Sequence, residues 1–389
     1  MVAIEAVATL GVAALASLFM AWAIGAGSSG STPFAPAVGA NAISVMRAGF
    51  VVGILILAGA ILQGRNVTEA VGRELVGGIT LSTLAATVAL TLAAALVAIG
   101  IFRGYPIATA FTVTGAVVGV GLAMGGDPAW AKYREIAILW LSTPFVGGAA
   151  AFATVVALRS KALPEVGVTT ALGAMVGAMI VNIDFAMLGD DGASIAAATA
   201  ASVGRQGILV HGGVTLLGAL AVVAWLTHEF RHSVERAHRR FLLWLGALVA
   251  FSAGGSQVGL AIGPLLPLVD PLGIPLVAVL VGGAVGLLAG AWMGAPRMIK
   301  AISQDYSSLG PRRSIGALIP SFAIAQVAIL FGIPISFNEI VISGVVGSGL
   351  AAGEVSPRKL GYTALAWLAS LAAALGLGYG AYTALSTLS

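Results

Sequence analysis

The chain has 389 residues, of which 59% are hydrophobic and 9% charged, with a mean hydropathy of +1.03. A soluble fold would need roughly a quarter of its residues charged to cover its surface, so that class is excluded. The net charge of +4 and the absence of cysteine exclude disulfides and thiolate metal sites. The basic residues sit in short loops between apolar runs, as the positive-inside bias expects, and give no reason to expect a nucleic-acid partner.

The first apolar run, residues 3–24, begins with Glu5 where a signal peptide would carry a basic segment, and membrane character continues past Ala23. It is expected to be a retained helix. Further apolar runs follow at about 49–62, 80–102, 136–158, 166–188, 207–227, 241–253, 273–293, 314–332 and 361–387. Several reach the roughly 20 residues needed to cross about 30 Å of hydrocarbon. Barrel strands would show alternating polarity over about ten residues, which these runs lack. In lipid, helices satisfy their own backbone hydrogen bonds. The expected fold is therefore all-α, a polytopic membrane protein. The densest basic cluster, residues 228–240 (HEFRHSVERAHRR), is expected to be a cytoplasmic connector that anchors topology.

The chain also repeats itself. Residues 104–125 (GYPIATAFTVTGAVVGVGLAMG) and 332–353 (GIPISFNEIVISGVVGSGLAAG) agree at eleven of 22 positions, at an offset of 228. The same offset carries Gly27, Ser28 and Pro36 onto Gly255, Ser256 and Pro264. A duplication follows, with a first repeat expected over 1–205, an inserted span and basic connector over 206–240, and a second repeat over 241–389. Both copies pair a Gly/Ser/Pro-rich apolar segment with a later Gly-x-Pro-Ile segment. Glycine and proline cost about 1 and 3 kcal/mol in a helix interior, so these segments are expected to be interrupted or re-entrant. Interrupted segments at matching places in two halves point to a transporter's binding site. Broken helices present free N–H groups and positive dipole ends to an anion, and Ser or Thr hydroxyls add neutral donors.

These segments resemble the inorganic phosphate transporter (phosphate permease) family. Val234-Glu235-Arg236-Ala237 followed by residues 251–264 (FSAGGSQVGLAIGP) is similar to that family's VERAF and FAHGANDVANAIGP. Residues 62–72 (LQGRNVTEAVG), Gly104-Tyr105-Pro106-Ile107-Ala108-Thr109, Gly332-Ile333-Pro334-Ile335-Ser336 and Trp140-Leu141-Ser142-Thr143-Pro144 resemble its other motifs. The resemblance touches nearly the whole chain. It implies two inverted repeats holding an anion between broken helices near the bilayer midplane, usually with sodium coupling, in a plasma-membrane protein that is often a homodimer.

The departures lie at the working positions. The family's Asn-Asp pair stands here as Ser28-Ser29 and Ser256-Gln257, and its Ser-Thr-Thr-His run as residues 108–111 (ATAF) and 336–339 (SFNE). Sodium sites need hard oxygen ligands and a charge to offset desolvation, and both aspartates that would supply it are absent. The expected pocket comprises Ser28, Ser29, Ser31, Thr32, Thr109, Thr112, Ser256, Gln257, Ser336 and Asn338. It is rich in donors and poor in carboxylates, which suits sulfate, whereas the family implies phosphate. Phosphate is placed first and sulfate second. Glu339, in an otherwise apolar run, is the expected coupling residue, taking H+ or Na+, against the alternative of a carboxylate at the membrane surface that caps a helix or pairs with an arginine.

Asp184, near the Asp190-Asp191 turn, Arg47 and His211 are weaker candidates, better explained as interfacial or packing residues. No organic cofactor is expected. A lipid-phosphate enzyme would need clustered carboxylates beyond Asp190-Asp191. A passive anion channel could use the same donors.

Overall fold

The computed structural model describes residues 2–103, 107–188, 192–204, 207–305, 309–353 and 357–388. Gly104, Tyr105 and Pro106, and the Asp190-Asp191 pair, lie outside them. The first half contains α1 (Val2–Ile24), a π turn (Gly25–Ser29), α2 (Ala35–Gly39), α3 (Val45–Gln63), α4 (Arg65–Arg73), α5 (Thr83–Arg103), α6 (Thr109–Ala123) and α7 (Trp130–Arg159). Then come α8 (Glu165–Ile180), α9 (Ile195–Val203) and α10 (Gly207–His232). The last part holds α11 (Val234–Ile262), α12 (Leu266–Val269), α13 (Leu276–Asp305), α14 (Pro311–Leu330), α15 (Phe337–Leu350) and α16 (Pro357–Ser386). Two short two-stranded ladders tie loops together. Among the described residues, nine helical segments are long and apolar enough to cross a membrane. The protein is a multi-pass α-helical membrane protein.

The offset of 228 recurs in the helices themselves. Thr83 and Pro311 open α5 and α14, and Thr109 and Phe337 open α6 and α15, each pair 228 residues apart. Packing crosses between the halves in matched pairs. α3 lies on α11 as α1 lies on α13, and α6 lies on α16 as α15 lies on α7. The counterparts α3 and α13 run antiparallel: Gly53 meets Trp292, while Gly64, just past the end of α3, meets Leu280, earlier in α13.

Small residues set these crossings. A Cβ on Gly59 of α3 would stand 1.7 Å from the Phe251 carbonyl oxygen of α11, and one on Gly254 would stand 2.0 Å from the Ile56 oxygen. Backbone-to-backbone contact of this kind requires glycine on both helices, as at many membrane helix interfaces. At α15 and α7, Gly347 likewise lies against Gly148, 2.0 Å from its carbonyl oxygen to a Cβ position. Phe34, Phe241, Phe322 and Phe337 fill the space between helices and are fully buried.

The offset carries α7 onto α16, and α8, α9 and α10 lie between α7 and α11; the first repeat expected over 1–205 includes α8 and α9.

The basic cluster connects two helices with a single residue between them. α10 runs to His232 and α11 starts at Val234, with Ser233 as the N-cap whose hydroxyl accepts from the Arg236 N–H at 3.4 Å. Glu229 and Arg240 pair across this hairpin. The boundary expected at 240/241 thus falls inside a helix.

One expectation needs correction: only the first Gly/Ser/Pro segment is broken where expected. α11 passes through Gly254-Gly255-Ser256-Gln257 as continuous α-helix and gives way to a 3-10 turn at Gly263–Leu265. The first copy carries Gly30 and Pro33, which end a helix; the matching positions hold Val258 and Ala261, which continue one.

Candidate anion site

Four segments meet at the centre of the bundle. Two are the π turn Gly25–Ser29 and its counterpart in mid-α11. The others are the N-terminal ends of α6 and α15. These two helices are short, 15 and 14 residues, and nearly every residue of each is buried. Each follows an extended stretch, with Ala108 (ψ 96°) and Ser336 (ψ 124°) at the N-cap and no side chain capping either helix. The first N–H groups of a helix have no intrahelical partner. Two helix N-termini therefore aim partial positive charge into the interior.

The polar side chains there form one connected set. Thr109 Oγ1 donates to Gln257 Oε1 at 2.9 Å and reaches Ser28 Oγ at 3.5 Å. Gln257 Nε2 donates to the Ile335 carbonyl at 2.6 Å. Asn338 Nδ2 donates to the Ile107 carbonyl at 2.6 Å and to that of Gly27 at 3.2 Å. The two halves are thus joined through two amide side chains of the second, Gln257 and Asn338. Ser28, Thr109, Gln257 and Asn338 are all 0% exposed.

Among the described residues of these four segments' inner stretches, Ser256 Oγ, Ser336 Oγ, Asn338 Oδ1 and Glu339 Oε2 are buried without a hydrogen-bond partner. Leaving a buried polar group unmade costs about 1–3 kcal/mol. Ser336, Asn338 and Glu339 are the N-cap and first-turn residues of α15, and Ser256 precedes Gln257 in α11. The hydroxyls donate or accept, the amide oxygen accepts, and the carboxyl oxygen accepts when ionised.

The other expected donors have different roles. Ser31 Oγ and Thr32 Oγ1 both donate to the Ser28 carbonyl, at 3.1 and 3.0 Å, and Thr112 Oγ1 donates to that of Ala108 at 3.1 Å. Ser29 Oγ reaches only the Ile24 carbonyl at 3.4 Å. These four residues are buried within the broken segments, but their hydroxyl protons serve the backbone around the break. They shape the site; Ser28, Thr109, Ser256, Gln257, Ser336 and Asn338 present polar atoms within it.

Glu339 lies in the first turn of α15 and is 1% exposed. Its neighbours Asn338 and Ser336 belong to the constellation. Among the described residues no arginine or lysine pairs with it, so the surface alternative does not hold. Arg47 is exposed at the start of α3. His211 lies on the largely exposed α10. Asp184 pairs with Ser194 in a short ladder, and its carbonyl accepts from Gln63 Nε2 at 3.0 Å beside a cavity of about 240 Å³.

Some features had no sequence signal. Three of the acceptors that organise the site are the backbone carbonyls of Gly27, Ile107 and Ile335, which no side-chain pattern reveals. Trp140 stacks on Phe111 with ring centroids 3.8 Å apart, and its Nε1 donates to the Pro334 carbonyl at 2.7 Å. It thereby pins the extended strand that leads into α15. The family resemblance at residues 140–144 marked Trp140, but only the structure gives it this role.

Known proteins resemble this chain in sequence and fold. Residues 8–378 match the Phosphate transporter family. Over 375 residues the chain is 26% identical to a Thermococcus kodakarensis protein named as a phosphate permease, covering 87% of this chain and 88% of that one. Over 389 residues it is 25% identical to the chloroplastic inorganic phosphate transporter 2-1 of Arabidopsis thaliana, covering 88% of this chain and 66% of the relative. A solved sodium-dependent phosphate transporter superposes with a TM-score of 0.81 at 20% identity, over 98% of this chain and 100% of the other, a likeness of fold. The family match spans the π turn, α6, mid-α11 and α15, the four segments that build the constellation. The chain belongs to the phosphate transporter family.

Proposed function

We propose that this chain is a permease that carries inorganic phosphate across the cell's plasma membrane by alternating access, with Glu339 as the residue that couples a cation. The observation that carries this is a set of buried, orphaned polar atoms: Ser336 Oγ, Asn338 Oδ1 and Glu339 Oε2 at the uncapped N-terminus of α15, and Ser256 Oγ next to Gln257 in mid-α11. Hydroxyls and helix ends suit oxyanion oxygens. The two orphaned acceptors suit the O–H of HPO4²⁻, which sulfate lacks at neutral pH. Acceptors of this kind, together with family membership, favour phosphate over the sulfate expected from a pocket of donors alone.

The two halves act as inverted repeats in this mechanism, a reading supported by the antiparallel course of α3 and α13. A second copy of the chain, giving a homodimer, belongs to the same proposal and is checked by native mass in lipid nanodiscs. A carboxylate buried like Glu339 holds its charge only beside a compensating cation or gives it up to a proton, which suits H+ or Na+ symport.

The test is uptake of labelled phosphate into proteoliposomes under imposed sodium and proton gradients, with sulfate, molybdate and arsenate as competitors. Phosphate and arsenate are expected to compete and sulfate is not. Entry of sulfate with exclusion of phosphate would reverse the assignment. Glu339→Gln is expected to retain phosphate exchange while losing gradient-driven accumulation by about tenfold or more, since one charge-neutralising step is worth at least about 1.4 kcal/mol. Normal accumulation by that variant across pH 5–8 would remove Glu339 from coupling.

A further inference from the structure

Away from the centre, at the end of the bundle where α11 and α14 begin, lies a cavity of about 630 Å³. Its walls are the loop after α2, the end of α7 and the first turns of α8, α11 and α14. Arg159, Arg239, Arg312 and Arg313 line it, against two carboxylates, Glu165 and Glu235. Positive charge is in excess there.

Three of the guanidinium groups are held by bonds within the fold. Arg312 donates from Nε and Nη2 to the two Glu165 oxygens at 2.6 and 2.7 Å. Arg239 Nε donates to the Ala42 carbonyl at 3.0 Å, and Arg159 Nη1 to that of Ala351 at 3.4 Å. A guanidinium has five N–H donors, so these bonds orient each group and leave it further donors. His238 lines the same cavity and is 6% exposed. Its Nε2 makes no hydrogen bond and stands 3.5 Å from Glu165 Oε1. Three helices of 16, 29 and 20 residues start at this cavity, adding the positive ends of their dipoles.

We infer that this cavity is a second anion site, which takes a phosphate group through the arginine forks. Fixed guanidinium planes match phosphate oxygens in paired hydrogen bonds, and the buried His238 nitrogen gains the partner it lacks. Two sources share that chemistry: free inorganic phosphate, and the phosphomonoester headgroup of an anionic lipid such as phosphatidic acid.

The site is wired to the transport core. The arm that carries Ser28 and Thr32 continues through α2 to Ala40–Ala42 in the cavity wall, where Arg239 holds Ala42. Ser314, in the first turn of α14, donates to the Pro36 carbonyl of the same arm at 2.7 Å. An anion on these arginines therefore bears on the first copy's half of the central constellation. The assignment does not depend on which anion the centre carries.

The test uses full-length protein and two variants, Arg239→Gln/Arg313→Gln and Arg159→Gln, which keep the Glu165–Arg312 pair. Binding of labelled inorganic phosphate is measured at equilibrium in detergent. Retention of phosphatidic acid against phosphatidylcholine is measured by native mass spectrometry. Gln257→Leu marks whichever phosphate component belongs to the centre. If free phosphate is the ligand, a component untouched by Gln257→Leu weakens by about tenfold or more in the arginine variants, the expected loss of a charge-assisted hydrogen bond. If a lipid is the ligand, phosphatidic acid retention falls by a similar factor while phosphate binding is unchanged. Should both measurements in both variants match the unsubstituted protein, with thermal stability also unchanged, the site is refuted.

Discussion

Gln257→Leu is expected to lower phosphate uptake by about 100-fold or more. The leucine leaves the Thr109 hydroxyl without its acceptor and the Ile335 carbonyl without its donor, both inside a closed core. Each orphan costs about 1–3 kcal/mol, and together they loosen the joint between α6, α11 and the strand entering α15. A purely structural role is separated from a role in anion binding by Gln257→Glu. That side chain still accepts from Thr109, but it loses the bond to Ile335 and places a negative charge beside the anion. Its uptake is expected to fall as far as that of the leucine variant while its thermal stability falls less. Proteoliposome uptake and thermal unfolding followed by size-exclusion chromatography measure the two effects. Near-normal uptake by the leucine variant would place the substrate elsewhere.

The second large effect is expected from Gly59→Val, and from Gly254→Val on the facing helix. A Cβ at Gly59 would meet the Phe251 carbonyl oxygen at 1.7 Å, and one at Gly254 the Ile56 oxygen at 2.0 Å. The obstacle in both cases is backbone, so no rotamer change relieves it and α3 and α11 must part. Overpacking in a filled core costs about 1–3 kcal/mol, and the two extra methyls of valine bring this crossing to the upper end of that range. Because Gln257 lies one turn beyond Gly254 on α11, parting these helices also displaces the constellation. Each variant is expected to lose both thermal stability and uptake. Gly282→Ala, with open space around its Cβ position, serves as the neutral control. Equal stability of all three proteins would mean that the crossing tolerates separation.

The architecture was largely legible in the sequence, for a physical reason. Lipid forces each span to carry its own apolar run and to close its own backbone hydrogen bonds, so α3, α5, α14 and α16 are visible as composition alone. The repeat was legible because Gly119 and Gly347 must both admit a neighbouring backbone, Leu375 and Gly148 respectively. A packing demand made twice leaves the same residue twice. Composition did not show how the basic cluster is built, with a single N-capping serine dividing two helices.

Within the candidate site, the sequence determined which residue types gather: neutral hydroxyls and amides at matching offsets, and one carboxylate, Glu339, in an apolar run. Tertiary structure decided which of them face inward together. Ser31, Thr32 and Thr112 spend their protons on carbonyls within four residues, a local outcome of the helix break. Thr109, Gln257 and Asn338 reach partners 148, 78 and 311 residues away. Contacts at that separation depend on how two repeats fold through one another, and the carbonyls they meet carry no side-chain signature. The chain's own pattern established a duplicated membrane protein built for an anion. Only the packing of α6 and α15 against the π turn and α11 decided where its unsatisfied polar atoms would lie.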